Sequence, residues 1–362
     1  MALLERPAAP ARVFAVGSSS TSLGTASNRT TAPGTTASSP ARRPAARRRV
    51  PRWTPLVWLA LLADHRRHAR LATRPVAASA VGPVPGRNPG HAGSTAGVTP
   101  GTGEAPAPPP ATLGRMTRPA VVAHRGNSSV APQNTLAAIE AACRAGADAV
   151  EIDLQRTADG AAVVIHDDAV DDTTDGHGAV AELRLDQVRA LDAGSRFGPA
   201  YAGQRIPLLS EVLEILARHP DTHLLLELKN VWSPAEVRDV TTAIDDAGLS
   251  GRVLVQSFWP DTVAAARDVA PHLERGLLLA YEPPEALDVC ASLEVVACNP
   301  SAEMVRRDPG LVTRLHRAGL RVMVWTENEP AGWSRLCEVD DGAGVDAIIT
   351  DRPDRLLGWF SR

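Results

Sequence analysis

The sequence predicts an α/β chain: a (β/α)8 TIM-type barrel with a small loop insertion after the third strand, preceded by a disordered N-terminal tail. Two observations predict this fold. From about Arg118 onwards, short apolar runs alternate with amphipathic stretches of helical period, whereas the first 115 residues are low in complexity. Nearly every apolar run also ends in polar residues. Strand and helix repeated in this way build a parallel sheet, and eight such units close into a barrel whose chemistry lies at the carboxyl ends of the strands.

Nine apolar runs have the length and composition of strands. They are Ala120–Ala123, Ala149–Leu154, Ala162–Ile165, Leu224–Leu228, Val253–Gln256, Leu277–Ala280, Val295–Cys298, Val322–Trp325 and Ala347–Thr350. Helical patterns lie between most of these runs; they include Thr135–Ala145, Pro234–Ala247, Asp261–Val269 and Pro309–Ala318. A glycine just past three of these helices predicts where each helix ends; these glycines are Gly146, Gly248 and Gly319. A barrel needs eight strands, so one run is either an added hairpin strand or not a strand.

The third run follows Asp159-Gly160, a pair that is typical of tight turns. An antiparallel hairpin centred on this pair would place Asp153 opposite His166. If the third run is instead a parallel strand of the barrel, His166 still reaches the rim at which the other strands end.

The first 115 residues consist mainly of Ala, Pro, Ser, Thr, Gly and Arg. Fifteen arginines stand against three acidic residues, Glu5, Asp64 and Glu104, so the segment carries +12 and the remainder carries -15 of the net -3. A segment of this composition buries too little apolar surface to fold. We therefore expect a disordered tail over 1–115 and a barrel domain over 116–362. Met116 would also make a natural start, in which case residues 1–115 are not a native segment.

A short apolar run, Pro55–Ala63, follows Arg47–Arg49 in the tail and has the charged and apolar parts of a secretory signal. It begins late in the chain, and crossing a bilayer takes about twenty apolar residues. We therefore expect no transmembrane segment and a cytoplasmic location, with export through the basic tail as the open alternative. The four cysteines lack CxxC spacing, which argues against a zinc site. No nucleic-acid partner is expected.

Lys229 is the single lysine in a chain with 38 basic residues. Strand alternation places it on the same face as Glu227, with leucines on the other face. An ammonium is a compact point charge, whereas a guanidinium is a wide planar fork, so a crowded phosphate or metal site requires lysine specifically. The alternative is a surface lysine with no function.

Three carboxylates are expected to meet at one rim of the barrel. Glu151 and Asp153 are two residues apart on one strand and therefore share a face, and Glu227 adds a third carboxylate from a nearby strand. Such an oxygen-rich group suits one divalent cation, Mg²⁺ or Ca²⁺. The alternative is that these carboxylates pair with arginines of the barrel.

Two histidines follow strand ends at the same rim, His124 after the first strand and His166 after the third. Histidine exchanges a proton near neutral pH, so the pair points to acid and base catalysis. Together with Arg125, Lys229 and a divalent cation, the pair suits phosphoryl chemistry, in which cations neutralise phosphate oxygens. The chain contains no GxSxG motif and no Walker loop.

At these positions the sequence resembles the glycerophosphodiester phosphodiesterase family, within the phosphatidylinositol-phospholipase-C-like barrel superfamily. The resemblance covers the whole region expected to be ordered and none of the tail. It rests on His124-Arg125-Gly126, Asn134-Thr135, Glu151-Ile152-Asp153, Val164-Ile165-His166-Asp167, Thr173-Thr174-Asp175-Gly176, Glu227-Leu228-Lys229, Gln256-Ser257-Phe258, Trp325-Thr326 and Thr350-Asp351-Arg352-Pro353.

The resemblance implies a barrel enzyme that cleaves a small-molecule glycerophosphodiester to glycerol 3-phosphate and an alcohol with the help of one divalent cation. It also implies that a glycerol hydroxyl attacks phosphorus and that water opens the resulting cyclic phosphate. The roles that it implies are metal ligation for Glu151, Asp153 and Glu227, acid and base catalysis for His124 and His166, and phosphate contact for Arg125 and Lys229.

Three further residues stay open at this stage. Trp325 forms an apolar wall of the pocket or is a buried tryptophan of the barrel. Gln133 departs from the family, which usually has Glu before Asn-Thr. His177 belongs to a loop insertion and is expected to have no catalytic role.

Two other functions compete with this one. The rival enzyme is a lysophospholipase D or a phospholipase-C-like phosphodiesterase that acts on lipid, whose sites also combine histidines with one divalent cation. A nonenzymatic barrel that binds phosphoglycerol is the alternative from another class, although such a protein would not need both histidines and all three carboxylates.

Overall fold

The computed structural model describes residues 118–282 and 285–362. The tail over 1–115, its apolar run and the division near residue 115 lie outside these ranges, so the domain boundary, the native start and the cellular location stay predictions. Within the described ranges, none of the helices combines the length and the apolar character that crossing a bilayer requires.

Within the described residues, nine strands form one sheet, in the order β1, β9, β8, β7, β6, β5, β4, β2, β3. Their bounds are β1 Ala120–Ala123, β2 Ala149–Arg156, β3 Ala162–Val164, β4 His223–Leu228, β5 Val253–Ser257, β6 Glu274–Leu279, β7 Ala297–Pro300, β8 Arg321–Val324 and β9 Ala347–Thr350. Because β1 pairs in parallel with both β2 and β9, the eight parallel strands close into a barrel. The predicted fold class is confirmed.

The ninth strand is β3, which pairs antiparallel with β2 outside the eight-stranded ring. The hairpin interpretation is therefore correct, but its register was wrong by one residue. Thr157 N donates to Ala161 O at 3.0 Å, so the loop has three residues and is centred on Asp159. Gly160, with φ of 83°, closes this loop in the left-handed conformation. Asp153 consequently lies opposite Ile165, and His166 follows the hairpin at the rim.

Ten α-helices are described, most of them between successive barrel strands. They are α1 Leu136–Ala145, α2 Leu185–Ala190, α3 Leu209–Arg218, α4 Pro234–Asp246, α5 Pro260–Val269, α6 Ala286–Leu293, α7 Ala302–Arg307, α8 Gly310–Arg317, α9 Pro330–Glu338 and α10 Pro353–Phe360. The Thr135 hydroxyl caps α1 by accepting from Ala138 N at 3.3 Å. The three predicted helix stops, Gly146, Gly248 and Gly319, all have positive φ.

The barrel interior changes from apolar to polar along the strands. Its lower part is a cluster of small and medium apolar side chains: Ala120, Val122, Ala149, Leu225, Leu254, Ala297, Met323, Ala347 and Ile349. Two residues further along their strands, the same face carries Glu151, Glu227, Gln256 and Asn299. The side-chain period of two therefore places a polar layer at the carboxyl ends, above an apolar plug.

The loop insertion after the third strand is present between β3 and α3. It contains α2 and three 3₁₀ turns, Val170–Asp172, Val180–Glu182 and Pro199–Tyr201. The insertion has its own apolar core, formed by Val163, Ile165, Val170, Val180, Val188, Ala193 and Ile206. His177 is exposed on it, with Nδ1 at 3.1 Å from Asp171 Oδ1.

Candidate active site

A cavity of about 390 Å³ opens at the carboxyl ends of the barrel strands. Seven of the eight residues predicted for the site line it: His124, Arg125, Glu151, His166, Glu227, Lys229 and Trp325. The eighth, Asp153, is 1% exposed and contacts Arg125 and Lys229 from below. The fold therefore brings together residues that lie on five different strands or strand ends.

The three predicted metal ligands form one cluster. Glu151, Asp153 and Glu227 each offer a carboxylate oxygen within 4.8 Å of the others, and all three are buried. Burial and the neighbouring carboxylates raise the pKa of Glu151 well above its usual value, and burial raises the pKa of Glu227 to about 7. Burial also opposes ionisation of Asp153, but Lys229 and Arg125 hold its pKa below the usual range. Three carboxylates thus face only two cationic side chains here.

Lys229 is buried within this cluster. Its Nζ lies 2.8 Å from Glu227 Oε1 and 3.0 Å from Asp153 Oδ1. Burial alone would lower the pKa of Lys229, but the two carboxylates raise it above the usual value, so the ammonium form is maintained. The lone lysine is therefore buried at the cavity and is not a surface residue.

Arg125 approaches the cluster from the end of β1. Its backbone φ is 57°, and in this left-handed conformation its amide N donates to Glu151 Oε2 at 2.9 Å. Its Nε lies 3.4 Å from Asp153 Oδ2. Gln133, the departure from the family pattern, accepts from Arg125 Nη1 at 2.5 Å. The neutral amide therefore keeps a contact with the guanidinium without adding a charge.

Both histidines are held at Nδ1 by a carboxylate. His124 Nδ1 lies 2.6 Å from Asp351 Oδ1, and His166 Nδ1 lies 2.7 Å from Asp167 Oδ1. The pKa values of the two carboxyl groups shift in opposite directions. Burial raises the pKa of Asp167, whereas for Asp351 burial is outweighed by His124 and by hydrogen bonds, so its pKa falls below the usual range. Such contacts fix the orientation of an imidazole ring.

Three of the residues that organise this site had no role in the sequence analysis. Asn134 Nδ2 donates to Asp153 Oδ2 at 2.8 Å, and Asn328 Nδ2 donates to Asp351 Oδ2 at 2.7 Å. Asp351 N returns a hydrogen bond to Asn328 Oδ1 at 2.8 Å. Asn134 and Asp351 stand inside the quoted motifs, which was the available signal, whereas Asn328 lies just beyond Trp325-Thr326 and had none.

Trp325 forms a side wall of the cavity. Its ring meets that of Phe258 edge to face, with 5.3 Å between centroids, and its Nε1 donates to Asn299 O at 2.8 Å. Trp325 is half-buried and lines the cavity, so it is not a fully buried tryptophan of the barrel.

The fold and the rim together define an enzyme of the barrel class, with acidic, basic and imidazole groups converging on one cavity. The chain belongs to the glycerophosphoryl diester phosphodiesterase family, whose model matches residues 124–355. The matched range starts at His124 and includes every residue predicted for the site. The family and the enzyme class expected from the motifs are thereby confirmed.

Known proteins agree with this membership. A glycerophosphodiester phosphodiesterase of Caldanaerobacter subterraneus subsp. tengcongensis is 36% identical over 239 residues, which is 66% of this chain and 96% of the relative. The crystal structure of a glycerophosphodiester phosphodiesterase from Agrobacterium tumefaciens is 30% identical with a TM-score of 0.56, covering 65% of this chain and 97% of that one. An Oleispira antarctica phosphodiesterase, solved in complex with the product sn-glycerol-3-phosphate, is 28% identical with a TM-score of 0.60, covering 68% and 98%.

Proposed function

We propose that this chain hydrolyses glycerophosphodiesters to glycerol 3-phosphate and an alcohol by metal-dependent catalysis with two histidines. One observation carries the proposal: two carboxylate-held histidines, a three-carboxylate cluster and two cationic side chains converge on one cavity. Family membership and the product named for the Oleispira antarctica relative support the choice of substrate.

Glu151, Asp153 and Glu227 would hold one divalent cation, Mg²⁺ or Ca²⁺. The residues fit such an ion because all the donors are hard oxygen atoms and because the cluster has one more carboxylate than cationic side chains. When bound, the cation neutralises phosphoryl oxygens and favours ionisation of the attacking hydroxyl.

Arg125 and Lys229 stabilise the negative charge that develops on the phosphoryl oxygens during the reaction. Both are buried, so their electrostatic effect is stronger than it would be in water. Asp153 and Glu227 fix the Lys229 ammonium, and Gln133 and Asp153 fix the Arg125 guanidinium, so both cations are oriented before the substrate arrives.

His124 and His166 exchange the protons. In the first step a glycerol hydroxyl forms a bond to phosphorus and gives its proton to one imidazole, while the bond from phosphorus to the alcohol oxygen breaks and the other imidazole protonates that oxygen. A cyclic phosphate results. Water then opens the ring with the two imidazoles in exchanged roles, which restores both protonation states. Asp351 and Asp167 hold the rings throughout.

A lysophospholipase D or phospholipase-C-like activity on lipid is the second candidate. The apolar wall of Phe258, Leu278 and Trp325 favours it, because an acyl chain could pack there as well as a glycerol backbone.

A direct assay separates the two. The full chain is incubated with glycerophosphocholine, glycerophosphoethanolamine and lysophosphatidylcholine after EDTA treatment, and Mg²⁺ or Ca²⁺ is then added. We expect cation-dependent release of glycerol 3-phosphate from the first two substrates. Release of choline from the lysolipid alone would support the lipid reading, and activity insensitive to EDTA would contradict the ligand assignment. His166→Ala should lose this activity. The matched control is His272→Ala, which removes an exposed histidine that is paired with Asp245 and should leave the activity unchanged.

A further inference from the structure

Two buried amide side chains lie at the floor of the cavity and have no part in the mechanism above. Gln256 on β5 is 1% exposed and lines the cavity, and Asn299 on β7 is fully buried behind it. Asn299 Nδ2 donates to Gln256 Oε1 at 2.7 Å. Burying two amides costs free energy unless their polar atoms form hydrogen bonds, so each of these atoms is expected to have a partner.

The backbone determines which way both amides point. Met323 N on β8 is a donor only, and it meets Asn299 Oδ1 at 3.4 Å. The other atom of that amide, Nδ2, must therefore be the group that faces Gln256, and Gln256 must turn its oxygen towards it. The remaining Gln256 atom is Nε2, for which residues 118–282 and 285–362 provide no hydrogen-bond acceptor. Because Gln256 lines the cavity, this N–H donor is available to a ligand.

The strand between the two amides leaves space for them. Gly276 on β6 is paired with Gln256 on one side and with Ala297 on the other. A Cβ at Gly276 would stand 3.2 Å from Asn299 Nδ2 and 3.1 Å from a methyl of Leu254. A side chain on β6 would thus crowd the amide pair, and glycine lets the pair connect across this strand.

The surroundings indicate which atom this donor serves. Gln256 is in register with Glu227 but lies one strand further round the barrel from the carboxylate cluster. The residues that line the cavity include three apolar side chains, Phe258, Leu278 and Trp325, together with polar and charged ones such as Ser301 and Arg306. A neutral amide suits an uncharged hydroxyl, whereas a charged phosphoryl oxygen already has Arg125 and Lys229 at the cavity.

We propose that Gln256 Nε2 donates a hydrogen bond to a hydroxyl oxygen of the substrate's glycerol moiety, and that Asn299 is a positioning residue that fixes the polarity of the Gln256 amide. This inference rests on the proposed function, since it takes glycerol as the group bound beside the phosphate. A site built to hydrogen-bond a hydroxyl rejects ligands that lack it.

Binding measurements on the full chain test the inference. Calorimetry with Mg²⁺ present gives the Kd of sn-glycerol 3-phosphate and of inorganic phosphate for the wild type, Gln256→Met, Asn299→Leu and the double variant. Gln256→Met should weaken glycerol 3-phosphate binding by about tenfold and leave phosphate binding unchanged, because only the hydroxyl contact is lost. Asn299→Leu should weaken it by about threefold. In the Gln256→Met background Asn299→Leu should have no further effect, since it acts only through Gln256.

Gln187→Met makes the same chemical change at an exposed residue that caps α2, and it should alter neither affinity. An equal effect of Asn299→Leu in both backgrounds would show a merely structural role and overturn the positioning claim. An equal loss for phosphate and glycerol 3-phosphate in Gln256→Met would overturn the hydroxyl assignment. If the wild type binds phosphate but not glycerol 3-phosphate, both the proposed function and this inference fail. If the wild type binds glycerol 3-phosphate and releases it from glycerophosphodiesters, while Gln256→Met has the same affinities as the wild type, only this inference fails.

Discussion

Carboxylates have different surroundings at the two ends of the barrel. At the carboxyl ends of the strands, Glu151, Asp153 and Glu227 crowd within 4.8 Å of one another. At the opposite end, two carboxylates each contact a basic side chain and accept a hydrogen bond from a backbone N–H. Asp148 lies 2.8 Å from Arg118 Nη1 and accepts from Val121 N at 2.7 Å. Asp346 lies 2.9 Å from His316 Nε2 and accepts from Val322 N at 2.7 Å.

We interpret this difference as a division between charges that stabilise the fold and charges of the proposed active site. Asp148 and Asp346 each hold a neighbouring strand through a backbone N–H, Val121 N and Val322 N respectively. The upper carboxylates have their pKa values pushed apart, upwards for Glu151 and Glu227 and downwards for Asp153 and Asp351. Pairs of titratable groups with opposed shifts are typical of catalytic sites. The opposed pKa shifts therefore support the proposal that the active site lies at the upper end of the barrel.

The largest expected effect is on the histidines of the upper end. His124→Ala or His166→Ala should lower kcat by about 100-fold or more, the usual scale for loss of a general acid or base. Thermal unfolding should stay within a few degrees of the wild type, because neither ring belongs to the apolar core. Steady-state kinetics with glycerophosphocholine measure this. A variant with full turnover would remove that histidine from the mechanism.

Replacing lysine by arginine at the upper end of the barrel, and arginine by lysine at the lower end, tests the difference between the two ends. Lys229→Arg should lower kcat by about tenfold or more, since a guanidinium does not fit between Asp153 and Glu227 as an ammonium does. Arg275→Lys is the matched exchange at the lower end, where Arg275 Nη1 donates to Leu273 O and Nη2 to Glu294 O. It should cost about 1 kcal/mol of stability and leave turnover unchanged. Full activity of Lys229→Arg would mean that the lone lysine is not required as an ammonium.

The carboxylate cluster predicts a pH-dependent response to cations. A carboxyl group whose pKa is raised on folding binds its proton more tightly in the folded state, so its contribution to stability is lost as pH rises. For Glu227 this loss occurs between pH 4.5, the usual pKa of the group, and about 7, its pKa in the folded protein. A bound cation replaces these protons. Mg²⁺ or Ca²⁺ should therefore raise the unfolding midpoint by a few degrees, and more at pH 8 than at pH 6.

Glu151→Gln tests the origin of this response. The substitution removes one ligand charge from the cluster, so the midpoint shift caused by the cation should shrink at both pH values. Differential scanning fluorimetry measures both shifts. A cation effect that is the same at pH 6 and pH 8, or the same in Glu151→Gln and the wild type, would place the ion elsewhere.

Local spacing determined what the sequence could predict. The two-residue interval of Glu151 and Asp153, and that of Glu227 and Lys229, follow from strand alternation alone. The polar residues at successive strand ends then meet because a parallel barrel collects them at one rim. The hairpin register was wrong because a three-residue loop and a two-residue turn have similar sequences and differ only in the hydrogen bond from Thr157 to Ala161.

Long-range partners could not be predicted in this way. His124 and Asp351 are separated by 227 positions and meet only because β9 closes on β1. The amide polarity of Gln256 depends on a backbone donor on β8, which no local pattern reveals. A sequence of strands identifies which residues reach the rim, but not which of them touch across it.

The smallest expected effect on catalysis comes from Asp346→Asn, which has a matched counterpart at the other end of the same strand. Asp346 precedes β9 and holds His316, whereas Asp351 follows β9 and holds His124. Asp346→Asn removes the negative charge beside His316 but keeps an oxygen for Val322 N, so it should cost about 1 kcal/mol in urea unfolding and leave kcat within about twofold. Asp351→Asn should do the reverse, with kcat reduced at least tenfold and stability almost unchanged. If Asp346→Asn instead lowered kcat as much as Asp351→Asn does, the two ends of β9 would not be independent, and the division between stabilising and acting charges would fail.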